Sequence, residues 1–316
     1  MKTFKAVISI ITVIALMSGV ILFSGCSLFN KKEQSESDET SHTQTTTSVA
    51  DDVIAPEDVT WNGDMFEAIN NDGLLNILLI GQDRRPNEGR QRSDCMILCS
   101  LNPETNELSM ISFLRDLYVQ IPGHSDNRLN AAYVFGGFDL IKETFNHNFG
   151  VTVDGCLEVD FDSFEQIVDI LGGVEIELTS AEAEIVGSDA TEGLCLLNGE
   201  QALTYTRIRK IDSDFQRTAR QRTLLNAVFF KMKGCTLTEL MTLVSEILPL
   251  MTTDMTEEEL MSFAFNLASS LSELKIESYG VPSSGNYQNA TINGMAVLVP
   301  DLYEIKKLIF EEYLPV

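Results

Sequence analysis

The residues able to grip an anion are not spread evenly through this chain. All eleven arginines lie between Arg84 and Arg222, while the lysines are scattered along the whole length. Five of those arginines, Arg207, Arg209, Arg217, Arg220 and Arg222, fall with Lys210 inside Leu203 to Arg222. A guanidinium presents a planar fork of donors that bonds phosphate or carboxylate oxygens in pairs, so clustering of arginine in particular points to a fixed anionic ligand. Arg207 and Arg209 stand two apart in Thr204 to Ile208, a segment rich in strand formers, which predicts an extended run with both on one face. Asp214 then caps a helix starting near Phe215. On it Arg217, Arg220 and Gln221 share one side near the N-terminus, where free amides also favour an anion. The plain alternative is a solvated basic face paired with the chain's many acids.

Acids accompany arginines at three further places. Asp83 and Arg85 follow an apolar run in GQDRR, Arg92 and Asp94 open the next run in RSD, and Arg115 with Asp116 closes the third in FLRD. Ligands usually sit at strand ends of an open sheet. Carboxylates beside arginines there suggest a divalent metal, held by one or two acids and by phosphate oxygens, next to an anion clamp. Ordinary ion pairs at loop ends are the competing reading.

These residues need a sheet to position them. Asn76 to Ile80, Cys95 to Leu101 and Leu108 to Leu114 read as three buried strands. Helical patterns follow at Asn130 to His147 and at Phe161 to Leu171, the latter stopped by Gly172 and Gly173 before strand-like Val174 to Leu178. Past Arg222 come three helical pieces, Thr223 to Lys233, Thr236 to Met251 and Thr256 to Leu271, the first carrying Leu224, Val228 and Phe229 straight on from the clamp. Then Ile276 to Val281 and Asn289 to Val299 look extended, and Asp301 caps a last helix. The alternation implies an α/β fold, a sheet covered by helices.

Of the 316 residues, 1–25 read as a leader: Lys2 and Lys5 precede an apolar run from Ala6 to Phe23, closed by Ser24, Gly25 and Cys26. Two outcomes stay open, a lipoprotein with Cys26 as its lipidated first residue or an uncleaved single-span anchor. Both leave the remainder outside the cytoplasm and tied to the membrane. Residues 26–58, rich in Ser, Thr and acids, are expected to be a disordered tether spanning on the order of 30 Å, and 59–316 the folded domain. Six cysteines, five without Cys26, show no metal-like pair. Cys95 and Cys99, about 13 Å apart on one strand, cannot bond to each other, whereas a Cys156 to Cys195 bridge is possible. The net charge of −25 leaves no positive field to steer a polyphosphate, which excludes nucleic acid as partner.

Taken together, GQDRR, RSDCMILCSL, SFLRDLYVQIPG, RLNAAYVFGG, VDFDSFEQIVDILGGVEIEL, LNGEQALTYTRIRK and DFQRTARQR resemble, in family order, the LytR-CpsA-Psr family over a motif core of 74–233, with 234–316 as a C-terminal extension. The resemblance implies a mixed sheet sandwiched between helical layers, a three-layer α/β/α fold, with an apolar tunnel for a polyprenyl chain. It also implies a Mg2+-dependent phosphotransferase outside a Gram-positive membrane that moves a glycopolymer from polyprenyl pyrophosphate to peptidoglycan. By the same resemblance Asp83 and Asp94 are the magnesium-linked acids, and Arg115, Arg207, Arg209, Arg217 and Gln221 bind pyrophosphate. Arg85 and Arg92 match neighbouring motif positions and are counted with the pyrophosphate-binding residues; Asp94, Arg115 and Asp116 form the catalytic set, with Asp94 or Asp116 as the candidate base and Asp116 alternatively an orienter of Arg115. Cys95, Phe113, Leu114, Arg128, Lys210 and Gln216 depart from the family pattern, with no charge lost from the clamp. Two other uses of the fold remain, a non-catalytic binder of anionic glycan and a hydrolase of the same pyrophosphate.

Overall fold

The computed structural model describes residues 52–66, 73–84, 89–187, 189–211, 213–271 and 273–315. Cys26, Arg85 and the expected leader lie outside the described residues. The expected tether does not reach residue 58, because strand β1 (Asp52–Val53) already pairs with a later strand through Asp52↔Ala290 and Val53↔Thr291. Ile54 and Val59 pack beneath that pairing. Two apolar side chains in an otherwise polar stretch suffice to fix it.

The centre is the expected antiparallel trio, β2 (Leu75–Gln82), β3 (Ser93–Asn102) and β4 (Glu107–Phe113). Small β5 (Tyr118–Val119) and β6 (Asn127–Arg128) pair with each other, and β7 (Gly155–Asp160) adds to β2 in parallel. A separate ribbon joins β8 (Val174–Leu178) to β9 (Gly193–Leu197). β10 (Thr252–Thr253) borders β7 and β11 (Lys275–Val281) runs parallel to β4, giving the mixed order β10-β7-β2-β3-β4-β11. Asn289 to Val299 is a hairpin rather than one extended piece: β12 (Tyr287–Ile292) turns into β13 (Met295–Pro300) through Asn293 and Gly294, both at positive φ. Asn-Gly meets the left-handed requirement of a two-residue turn.

Alternation along the central strands divides the core. Leu78, Ile80, Met96, Leu98, Ile111 and Phe113 bury against α1 (Leu129–Phe149) on one face. Phe113 meets the rings of Phe145 and Phe149 at 4.7 and 4.8 Å. Each such ring contributes roughly 2–3 kcal/mol by burial. The opposite face, Ile97, Cys99, Leu101, Leu108 and Met110, looks toward the helices that follow the clamp.

Between them, α2 (Phe161–Ile170) is capped by Asp160, whose carboxylate accepts from Ser163 N at 2.9 Å, and α3 (Ser180–Val186) by a Thr179–Glu182 box. The segment read as strand before Arg207 is α4 (Gly199–Thr206). Asn198 and Gln201 form a reciprocal capping box, and this local hydrogen bonding outweighs the strand propensity of Thr204, Tyr205 and Thr206. Gly199 lets α4 approach α2, because a Cβ there would lie 2.2 Å from the Glu165 carbonyl oxygen. α5 (Asp214–Lys233), α6 (Leu237–Ile247) and α7 (Glu257–Ser270) cover the second face, and α8 (Leu302–Leu308), capped by Asp301 as expected, joins α1 on the first. The result is a mixed sheet between two helical layers.

Candidate active site

Asp83 follows the last residue of β2, and Asp94 is the second residue of β3. The ladder pairs Gly81 with Cys95 and then Gln82 with Ser93, so Asp94 is the extra residue of a bulge. A bulge turns a side chain away from its regular alternation, here toward the strand ends. Arg115, just past β4, donates from Nη1 to Asp94 Oδ1 at 2.8 Å. Burial opposes its charge, but the Asp94 bond and the nearby carboxylates of Asp94, Asp116 and Asp214 win, and its pKa is raised.

Arg207 closes α4, and its guanidinium lies over the Phe161 ring at 4.4 Å, with Nη2 3.9 Å from Asp83 Oδ2. Ile208 is buried between the exposed Arg207 and Arg209. The two arginines therefore share a side, as the spacing implied, although the cause is a helix end anchored by Ile208 and not a strand.

On α5 the N-cap is Ser213, one residue earlier than expected, and Asp214 instead takes a 2.8 Å bond from Arg217 Nη2. Arg217 is only 2% exposed, and its Nε and Nη1 are buried with no hydrogen-bond partner. Gln221, one turn on, has its Oε1 in the same condition. Burial first, then repulsion from Arg209 and Arg115, depresses the Arg217 pKa against the pull of Asp214 and Asp94. Unsatisfied buried polar atoms are rare, and here the two donors of Arg217 and the acceptor oxygen of Gln221 belong to residues that line a cavity. Arg220, expected on the same side, turns away: Nε donates to Glu182 Oε1 at 2.7 Å and Nη1 to the Ile208 carbonyl at 3.3 Å. Arg220 is offset from Arg217 by about 60° in one direction and Gln221 by about 40° in the other, so Arg220 stands about 100° from Gln221 and meets a different neighbour.

The cavity has a volume of about 590 Å³. Asp83, Asp94, Arg207, Arg209, Arg217 and Gln221 stand at its polar end. From there it follows β3 from Asp94 to Cys99, a run of about 17 Å. Its other wall is apolar, with Leu224, Val228 and Phe229 of α5, the three residues expected to line a tunnel, and then Val244 of α6 and Ala264 of α7. Arg92 is exposed and outside the lining, and Arg115 reaches the cavity only through Asp94. Asp116 is outside it as well, 3.5 Å from Arg115 Nε and 3.3 Å from Arg128 Nη1. Of its two readings, catalytic residue or orienter, the structure favours the orienter.

Sequence reasoning missed the polar layer behind the strand ends. Glu158, 3% exposed, accepts from Gln82 Nε2 and from the Tyr133 hydroxyl, and Arg84 lies 3.3 Å from Glu158 and 3.2 Å from Asp160. The signal was a lone glutamate inside the apolar strand CLEVD. Among the described residues the cysteines form no bridge: Cys95, Cys99, Cys156, Cys195 and Cys235 are all free thiols. Among the described residues no cluster of three or more His, Cys, Asp or Glu side chains is placed to hold a metal.

The LytR_cpsA_psr family matches residues 26–310. A polyisoprenyl-teichoic acid–peptidoglycan teichoic acid transferase, TagU of Oceanobacillus iheyensis, is 33% identical over 250 residues, 74% of this chain and 73% of that protein. TagU of Bacillus anthracis is 35% identical over 173 residues, 54% of this chain and 56% of the other, so the chain spans about half the length of that relative. Among solved structures, TagT bound to LIIa-WTA is 26% identical, with a TM-score of 0.61 over 79% of this chain and 94% of that one.

Proposed function

This chain belongs to the LytR-CpsA-Psr family, and from that membership and the geometry of its site we propose that it transfers a glycopolymer from a polyprenyl-pyrophosphate carrier to peptidoglycan. The observation that carries the reading is Arg217, buried with two unpartnered guanidinium donors where a charged mouth opens into a long apolar cavity. An anion joined to an apolar chain satisfies both halves at once. Carbohydrate alone would leave the apolar part unused. The names of the TagU relatives supply the teichoic-acid class of the glycopolymer.

Phosphoryl transfer asks mainly for positioning and charge neutralisation. Arg207, Arg209, Arg217 and Gln221 hold the pyrophosphate, and Arg115 keeps Asp94 at the mouth. An acceptor hydroxyl forms the new O–P bond at the glycan-side phosphorus, and the P–O bond to the bridging oxygen breaks. Polyprenyl phosphate leaves with that oxygen. The hydroxyl proton passes to Asp83 or Asp94, the carboxylates that line the cavity, whereas Asp116 lies outside it.

The same two acids fit a Mg2+ ion. Asp83 is half exposed, and its ion pair among the described residues, with Arg207, is long at 3.9 Å. With two protein carboxylates and no third, a magnesium ion would take its other oxygens from phosphate and water. When bound it neutralises charge on the phosphate oxygens. A leader of the kind expected in residues 1–25 would put the reaction on the outer face of the cytoplasmic membrane.

The test is incubation of the full-length protein in detergent with a polyprenyl-pyrophosphate glycan, Mg2+ and peptidoglycan oligomers, read by mass spectrometry. A glycan-phosphate adduct on the oligomer is the expected product. Free glycan phosphate alone would make the protein a hydrolase, and unchanged substrate would make it a binder.

A further inference from the structure

Behind the strand ends, on the α1 side of the sheet, sits the carboxylate layer that the transfer chemistry above does not use. Side chains alternate along β7, so Leu157 and Val159 line the cavity while Glu158 between them points toward α1. Glu158 is 3% exposed; its Oε1 accepts from Gln82 Nε2 and its Oε2 from the Tyr133 hydroxyl of α1. Burial first, then the Glu158 carboxylate, push the Tyr133 pKa up, which keeps that hydroxyl a donor. A carboxylate in a core strand is costly unless paired, and Arg84 Nη2 stands 3.3 Å from Glu158 Oε1.

What Glu158 holds is the connection between Asp83 and Asp94. Gln82 and Arg84, the residues on either side of Asp83, both end on it. Gln82 reaches further, since its Oε1 accepts from Gln91 N at 2.8 Å and ties the end of β2 to the chain that leads into Asp94. Arg90 rests on the Tyr133 ring at 5.3 Å and fits beside Gly137, where an added Cβ would lie 2.7 Å from the guanidinium carbon. Arg84 also reaches Asp160 at 3.2 Å, and Asp160 caps the helix whose first residue, Phe161, carries Arg207 on its ring. Asp83, Asp94 and Arg207, all at the charged mouth, are thus tied to Glu158 through neighbouring residues.

We propose that Glu158 is a positioning residue for the transfer, fixing the separation of Asp83 and Asp94 through Gln82 and Arg84. What those acids do rests on the transferase reading; the fixing itself does not. In Glu158→Gln, whichever way the new amide turns, one donor among Gln82, Gln91, Tyr133 and that amide is left without an acceptor. The reciprocal swap, Gln82→Glu with Glu158→Gln, removes the conflict: the new amide donates to the new carboxylate and accepts from Tyr133, and Gln91 N donates to the other carboxylate oxygen. The full-length protein in detergent is assayed for transfer, and exchange of the Gln91 amide is followed by mass spectrometry. Glu158→Gln should lower kcat at least about tenfold with the carrier KM unmoved, because Arg209, Arg217 and Gln221 keep their places, and should speed Gln91 exchange about tenfold. The swap should return both to within about threefold of native. Native kcat or unchanged Gln91 exchange in Glu158→Gln would overturn the proposal, as would a swap no better than the single variant. A lower kcat matched by a raised carrier KM and a fallen melting temperature would reduce Glu158 to packing, and overturn it equally. Should Glu158→Gln fail to fold, Gln82→Met, which removes the Gln91 acceptor, carries the test: faster exchange with lower kcat at unmoved KM supports the proposal, and native kcat overturns it. If the native protein makes no adduct, the transferase reading fails, and Gln91 exchange in the single variant and the swap decides whether the tie stands.

Discussion

Replacing Arg217 by methionine should stabilise the folded protein while weakening its hold on substrate. Two guanidinium donors of Arg217 are buried and unpaired, and each such group costs about 1–3 kcal/mol. Methionine keeps most of the stem's packing without those donors. The one bond lost, to the partly exposed Asp214, is worth under about 1 kcal/mol. The net is a gain of at least about 1 kcal/mol, which in a domain of this size raises Tm by roughly 2 °C or more. Losing a charge-assisted bond to pyrophosphate should lower affinity for the carrier lipid about tenfold to a hundredfold. Arg220, three residues on, is the internal control. Arg220→Met leaves the Glu182 carboxylate, 8% exposed, without its counter-ion, at a cost of about 3–5 kcal/mol. Its melting temperature should therefore fall by about 6 °C or more. Differential scanning fluorimetry and lipid titration of both variants decide the matter. If Arg217→Met melts as low as Arg220→Met, or binds the lipid normally, the assignment of unpaired donors to a ligand is wrong.

Further outcomes follow from the same geometry. Asp94→Asn should weaken Mn2+ binding, read directly by electron paramagnetic resonance, about tenfold along with the transfer rate; unchanged Mn2+ affinity would remove Asp94 from the metal. Ala264→Trp fills the apolar cavity from α7, so the purified protein should lose copurified polyprenyl lipid in native mass spectrometry while pyrophosphate alone still binds. Burial pushes the thiols of Cys95, Cys99 and Cys156 from 9.0 up to about 12. The unfolded chain loses these protons near pH 9 and the folded one near pH 12, so their stabilisation is complete below pH 9 and is lost between the two. Each thiol should cost about 1.4 kcal/mol at pH 10, and a variant with all three as alanine should melt with a flatter pH dependence over pH 8–10.

Continuous apolar runs with clear ends made the three central strands legible, because a sheet covered on both sides buries both faces of its strands, and for the same reason the runs do not tell the two faces apart. Arginine clustering found the clamp for a related reason: a guanidinium is rarely buried, and five so close together need a common cause. What failed was local. Thr204 to Ile208 was read from propensity alone, and the Asn198–Gln201 box that starts a helix there was overlooked. Arg220 was placed with Arg217 by spacing, yet Glu182, 38 residues earlier, settles its direction. No spacing rule reports a partner that distant in the chain. The Glu158 layer escaped because its members, Gln82, Tyr133 and Glu158, come from three separate elements.

The cavity itself implies how the protein behaves without its ligand. On the α1 face, large rings fill the space, whereas on the other face Cys95 and Cys99 are small and line the gap beneath the α5–α7 layer, which stays open only if something occupies it. At about 24 cal/mol per Å³, a dry void of 590 Å³ would cost on the order of 10 kcal/mol, a ceiling because the mouth is open, but comparable to the whole stability of a domain. The delipidated protein should therefore close or loosen α6 and α7 over the sheet, while β2, β3 and β4 stay fixed by their other face. Hydrogen exchange followed by mass spectrometry reads this directly. Adding a polyprenyl pyrophosphate should slow exchange in Leu237–Ile247 and Glu257–Ser270 at least about tenfold, one RT ln 10 of local opening free energy, and leave Ser93–Asn102 unchanged. Equal protection of α6, α7 and the central strands before and after lipid would show that the helices are held apart by the protein alone, and the cavity would then be a rigid feature with no need of an apolar occupant.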